Sequence, residues 1–178
     1  VYEDGSEILG ESEIPDENKV IQGVYLEPSS VEITQRAKSA LLDADYIIVG
    51  PGSLYTSLLP NLLVKGMVDT IRKSKAKKIF ITNVMTQPGE TTGYSAYDHL
   101  KTVYDHIGAE IFDYTIINKN GSRKDLLDKY ADEGAYPVVN DIEQLNKLDI
   151  KVVEGKLIQT GDFIRHDPHK LAEILVEL

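Results

Sequence analysis

The residues best equipped for chemistry follow short apolar runs. Gly50-Pro51-Gly52-Ser53 comes after Tyr46-Ile47-Ile48-Val49 and opens a helix-like segment over 54–64. Glycines let main chain approach a ligand closely, and a helix N-terminus offers unpaired N–H groups and the positive end of a dipole. Ser53 is placed to cap that helix, and Tyr55, Thr56 and Ser57 add hydroxyl groups. The stretch reads either as a seat for phosphate or carboxylate or as a tight strand-to-helix turn. It is neither a P-loop, since no Gly-Lys-Ser/Thr follows, nor the dinucleotide fingerprint. A second loop, Asn83-Val84-Met85-Thr86-Gln87-Pro88-Gly89-Glu90-Thr91, gathers side chains that both donate and accept hydrogen bonds. Asn83, Thr86, Gln87 and Glu90 suit a polyhydroxylated or heterocyclic ligand, and Glu90 is also placed to act as a general base. The alternative is a long polar connection turned by Pro88-Gly89.

Arg165-His166-Asp167 is the third cluster. Arg165 offers a forked guanidinium to phosphate. His166 and Asp167 read as a base with its orienter or, as we favour, as helix-start chemistry with Asp167 capping before Pro168. His99, His106 and His169 fall on helix-like segments and are expected at the surface. No His has metal-ligand spacing with another ligand. Tyr55, Tyr94, Tyr97 and Tyr130 lie in or near the loop-bearing regions, where a ring could stack on a base. Asp43 and Asp45 are expected to be solvated.

These groups need elements to hold them. The runs 46–49, 78–82, 114–117, 138–139 and 150–153 are predicted strands. They alternate with predicted helices over 54–64, 95–107, 122–130, 141–148 and 168–178. Before them come a turn signal at Asp4-Gly5, an alternating strand-like run over 20–26 and a helical pattern over 31–44. A hairpin is expected over 156–165, with Gly155 at its turn. Strands alternating with helices imply βαβ units and an α/β fold with a mostly parallel sheet, helices covering both faces. Ligands in such sheets sit beyond the carboxyl ends of the strands. That rule gathers the loops 50–57, 83–93 and 118–122, with Asn118 at the last strand end.

Composition narrows the function classes. The chain has 178 residues, no Cys and a net charge of −10. Disulfides, thiolate metal sites and a cysteine nucleophile are excluded. The acidic balance argues against nucleic-acid binding, which needs a basic stripe. The cluster Arg72, Lys73, Lys75, Lys77, Lys78 reads as a solvated helix end. No apolar run reaches membrane-span length, no signal peptide is visible, and a cytoplasmic location is expected.

The stretches ADYIIVGPGSLYTSLLPNLLVKG, NVMTQPGET and YSAYDHL, supported by KYADEGAYPV, FIRHD and EDGSEILGESEIP, resemble the YvcK branch of the YvcK/CofD family, the gluconeogenesis factors. The resemblance runs over most of the chain. It implies a Rossmann-like α/β fold. The family's N-terminal glycine-rich phosphate loop and aspartate-rich segment do not appear here, so the chain is expected to be the C-terminal part of one YvcK/CofD-like domain. The resemblance further implies a protein that binds UDP-sugars such as UDP-N-acetylglucosamine and is needed for cell shape and growth on gluconeogenic carbon sources. Protein partners in cell-wall metabolism and self-association are compatible with that role. The other branch implies a transferase that moves a 2-phospho-lactate group to the deazaflavin Fo with Mg²⁺. No other cofactor is expected. Tyr130 and Arg165 fall where the YvcK branch contacts UDP-sugar. Gly50, Gly52, Ser53, Tyr55 and Thr56 match its central loop, Asn83, Thr86, Gln87 and Glu90 its second loop, and Asn118 follows the third strand, where the pattern is looser.

Overall fold

The computed structural model describes residues 1–16, 18–119, 124–159 and 161–178. Of the expected loop 118–122, residues 120–122 lie outside this set, as does residue 160 of the expected hairpin. Strand β1 (Tyr46–Val49), β2 (Lys77–Ile81), β3 (Tyr114–Asn118) and β4 (Lys151–Gly155) form one sheet in the order β1-β2-β3-β4. Every neighbouring pair is parallel, with Ile48 opposite Ile79, Ile81 opposite Ile116, and Ile116 opposite Val153. Helix α1 (Gln35–Asp43) precedes β1. Between β1 and β2 lie a π-helical turn (Leu54–Leu58), α2 (Leu59–Leu62) and α3 (Met67–Lys73). Helix α4 (Ala96–Ile107) joins β2 to β3. Helices α5 (Lys124–Asp132) and α6 (Ile142–Leu145) lead to β4, and α7 (Pro168–Glu177) ends the chain.

Alternation along each strand splits the core into two layers. Ile47, Phe80 and Ile117 face Leu59, Ile71, Leu100 and Val103 from the helices between the strands. Ile79, Ile81 and Ile116 face the other way, onto Leu171, Ile174 and Leu175 of α7. Helices thus lie on both faces, as the continuous apolar runs require. Cover ends at β1, an edge strand, where Tyr46 and Ile48 stay 40% and 43% exposed. Both ends of the main crossover helix are set by local chemistry. Ser95 and Asp98 form a reciprocal capping box, and Gly108 closes the helix in the left-handed conformation. Asp141 reinforces the cap from α6's side, accepting from Ser95 Oγ (2.7 Å) and the Tyr97 N–H (3.0 Å).

Four expectations need correction. The run 20–26 is not a sheet strand: only Ile21 pairs, with Tyr2, and Val20 and Tyr25 point into solvent. Among the described residues its main-chain groups at Val20, Gln22 and Gly23 bond only to Val1 and Glu3, a contact too short to make a strand. The pair 138–139 likewise contributes a single bridge, Ser95 to Val139. The expected hairpin keeps its antiparallel pairing, with Ile158 opposite His166, the Gln159 N–H donating to the Arg165 carbonyl and the Asp167 N–H to the Leu157 carbonyl, but Gly155 ends β4 and is not its turn. His99 is not at the surface. It is 1% exposed, its Nδ1–H donates to the Ser95 carbonyl at 2.7 Å, and its Nε2 has no partner. Helical spacing placed it on the apolar stripe with Ala96, Leu100 and Val103.

Candidate ligand-binding site

All four strands point their carboxyl ends to one edge, and the two glycine-bearing loops meet there. Gly50 is where they come closest. Its φ is 99°, and a Cβ on it would stand 2.5 Å from the Ile81 carbonyl oxygen at the end of β2. Side chains of the second loop then reach across to successive positions of the first. Asn83 makes a reciprocal pair with Gly52: Oδ1 accepts the Gly52 N–H (3.2 Å) and Nδ2 donates to the Gly52 carbonyl (2.9 Å). Gln87 Nε2 donates to Ser53 Oγ at 2.8 Å. Glu90 accepts the Tyr55 N–H and the Thr56 hydroxyl, each at 3.2 Å. Thr86 closes the far side, with its N–H donating to the Tyr136 carbonyl and its Oγ1 accepting the Tyr136 N–H.

This clasp changes the reading of both loops. Ser53 does not cap the helix that follows it, because its hydroxyl is engaged by Gln87. The role falls to Glu90, whose carboxylate takes the Tyr55 N–H and the Thr56 hydroxyl in the helix's first turn. The anion seat expected after Gly52 is therefore already filled by an internal carboxylate. Burial pushes the Glu90 carboxyl above the usual carboxylate range, outweighing those hydrogen bonds, and the charge of Glu11 adds to the shift. An isosteric probe of the clasp is Asn83→Asp, which sets a carboxylate oxygen against the Gly52 carbonyl. We expect it to cost about 2 kcal/mol in urea denaturation; wild-type stability would mean the two loops are held by other contacts.

Beyond the clasp lies a cavity of about 750 Å³. Gly52, Ser53, Asn83, Thr86, Gln87 and Glu90 line its inner side, and Tyr130 and Arg165 its outer side. Gly50, Tyr55, Thr56 and Asn118 are not on the lining. Tyr55 is a core residue, 2% exposed, with its hydroxyl 2.6 Å from that of Tyr94. Asn118 braces the chain after β4, its Oδ1 accepting the Leu157 N–H at 2.9 Å. Tyr130 is fixed by the Ile164 N–H, which donates to its hydroxyl at 3.2 Å. Arg165 is exposed, stacks over Phe163 at 5.1 Å, and has no ion-pair partner among the described residues.

Comparison with known proteins settles the lineage. The family model described as 2-phospho-L-lactate transferase CofD matches residues 1–158. The chain belongs to the YvcK/CofD family. It is 42% identical over 177 residues to the gluconeogenesis factor of Bacillus subtilis, covering 99% of this chain and 56% of that protein. It is 38% identical to a putative gluconeogenesis factor of Aquifex aeolicus, covering 99% and 55%. A crystal structure of a upf0052 family member from Bacillus halodurans superposes with a TM-score of 0.94 at 40% identity, covering 98% of this chain and 57% of that one. The chain thus spans about half the length of the relatives it matches.

Two cavity residues of this YvcK/CofD chain, Pro15 and Glu133, are not among the candidates that the motifs supply, and a third, His166, takes a different part from the one favoured for it. Pro15 arrives from the N-terminal segment, whose Asp16 N would lie 2.7 Å from a Cβ on Gly89. Nothing in its local sequence signals that contact. Glu133 follows Tyr130 within the Lys-Tyr-Ala-Asp-Glu-Gly stretch and was within reach of that motif. His166 lines the cavity and was read as helix-start chemistry. Its neighbour Asp167 does serve that purpose, accepting the N–H groups of His169 and Lys170. His166 instead bonds through Nε2 to the Thr82 carbonyl at 3.2 Å.

Proposed function

We propose that this chain is part of a cytoplasmic regulatory protein that binds a UDP-sugar of the UDP-N-acetylglucosamine kind. In this reading it serves cell shape and growth on gluconeogenic carbon sources. The observation that carries the reading is the pairing of Tyr130 with Arg165. One element offers an aromatic face; the adjacent segment offers a guanidinium without a carboxylate partner among the described residues. Both border a cavity of the size that takes a nucleotide-sized ligand. A ring suits a base, and a forked guanidinium suits a diphosphate. The names of the relatives support the gluconeogenic role. Self-association and cell-wall partners belong to the same proposal, and no helix of the described residues is long and apolar enough to cross a membrane.

The test is calorimetric titration of the full natural chain with UDP-N-acetylglucosamine. Arg165→Ala is expected to weaken binding at least about tenfold, the loss of one charge-assisted hydrogen-bond pair. Wild-type affinity in a folded variant would remove Arg165 from the site, and no heat with the wild type would end the UDP-sugar reading.

The family model's description, 2-phospho-L-lactate transferase, favours a second reading, for which the resemblance implies the deazaflavin Fo as acceptor and Mg²⁺. The cavity lining brings that ion two carboxylates, Glu90, which already serves the helix N-terminus, and Glu133. No group of three His, Asp or Glu side chains converges among the described residues, so a Mg²⁺ here would lean on the substrate's phosphate for further ligands. Titration with Fo in the presence of Mg²⁺ separates the two readings.

A further inference from the structure

We propose that His166 reads a sugar hydroxyl in this cavity: a neutral imidazole whose Nδ1 accepts a hydrogen bond from the hexose of the bound nucleotide sugar. The inference rests on the UDP-sugar reading and adds how the ligand lies.

The geometry begins with the main chain. Residues 164–167 run alongside 157–159: His166 bridges Ile158, the Gln159 N–H donates to the Arg165 carbonyl, and the Asp167 N–H donates to the Leu157 carbonyl. Successive side chains of an extended segment point to opposite sides. Ile164 is buried, Arg165 is exposed and His166 is half-buried against the cavity. Arg165 therefore guards the rim while His166 looks inward, over the end of β2.

The ring's protonation follows from its partner. Its Nε2 faces the Thr82 carbonyl at 3.2 Å, and a carbonyl can only accept. The proton sits on Nε2, which leaves a lone pair on Nδ1. Among the described residues Nδ1 has no partner. Burial holds the imidazole pKa below its ordinary value, so the neutral form prevails. Among the described residues no carboxylate pairs with the ring: Asp167, next in the chain, is committed to the start of α7 and to Lys170 at 3.3 Å. His166 thus lacks the acid partner of a general-base dyad, and what it offers is a fixed acceptor.

A fixed acceptor has a simple selectivity. It repels the oxygens of a phosphate and takes only a donor, a hydroxyl or an amide N–H. That orders the ligand along the wall, with the base beside Tyr130, the diphosphate at Arg165 on the rim, and the hexose inward at His166.

The experiment is titration of the full natural chain and two variants with UDP-N-acetylglucosamine and with UDP, read as the preference for the former. His166→Phe keeps the ring shape and loses the acceptor. Its preference is expected to fall about tenfold, the worth of one buried hydrogen bond. His166→Asn, whose Oδ1 can stand near the Nδ1 position, is expected to regain most of that loss. A fall of equal size for both ligands would make His166 a structural prop and overturn the proposal, as would an unchanged preference in folded His166→Phe. If the wild type binds neither ligand, the UDP-sugar reading fails first and takes this inference with it.

Discussion

Gly50→Ala is expected to lower the unfolding free energy by about 3 kcal/mol or more. Two costs add at this position. The residue holds φ at 99°, a conformation that costs a side chain roughly 1–3 kcal/mol. The new Cβ would also stand 2.5 Å from the Ile81 carbonyl oxygen, which belongs to main chain and cannot rotate away. Relief requires parting the end of β1 from β2, where Val49 faces Phe80. Gly93→Ala is the control. Its φ is 78°, with nothing within 4 Å of the added carbon. That variant isolates the backbone penalty, and we expect it to cost about 1 kcal/mol. Urea denaturation of the pair measures the difference. Equal midpoints would mean the close approach of the two loops yields without penalty.

Glu90 gives the second large effect. Glu90→Ala leaves the Tyr55 N–H and the Thr56 hydroxyl without their acceptor inside the protein, a loss of about 3 kcal/mol. Glu90→Gln keeps an acceptor and removes the charge, and is expected within about 1 kcal/mol of wild type at neutral pH. The pH dependence separates the charge from the bonds. Because burial raises the carboxyl's folded-state pKa, the folded protein holds the proton more readily than the unfolded chain. Stability linked to this group is fully present below the ordinary glutamate range and is lost as pH rises through the folded value. Denaturation midpoints from pH 4 upward should therefore lose one downward step in Glu90→Gln. If the variant keeps the wild-type profile, the step belongs to another group.

The four sheet strands were legible because each is a short apolar run between polar breaks, and their parallel order followed from the helices between them. What misled was alternation without a partner. The run 20–26 has the period of a strand, but period does not say how long a neighbour is, and in the fold it finds only the short segment from Val1 to Glu3, bridged at Ile21 and Tyr2. The loops were legible as a place and not as a set of roles. Asn83, Gln87 and Glu90 have side chains fit for a ligand, yet the same chemistry satisfies main-chain groups and the Ser53 hydroxyl 31 to 35 residues away. Sequence spacing within one loop cannot reveal which of the two demands is met. Tyr55 shows the same limit, since a ring beside a glycine turn can face a ligand or fill a core, and here it fills the core. Arg165 and Tyr130 lie on the cavity together through the Ile164 bond, a contact between distant segments.

The direction of the clasp bears on how the two loops can diverge. Asn83 and Glu90 supply side chains, while Gly52 and Tyr55 answer with main-chain groups that every residue but proline carries. A mutation that alters the Tyr55 side chain leaves its N–H available, so the cost of drift there is set by the core. A mutation at Asn83 or Glu90 removes the bond itself. Selection for an intact edge would thus weigh unequally within the clasp: Asn83 and Glu90 are held by side chain, Gly52 and Tyr55 are held there by main chain alone, and Gly50, Ser53 and Thr56 are held by the close approach and by their own hydroxyl bonds. Lineages that change ligand without losing the fold would do so through the outer wall.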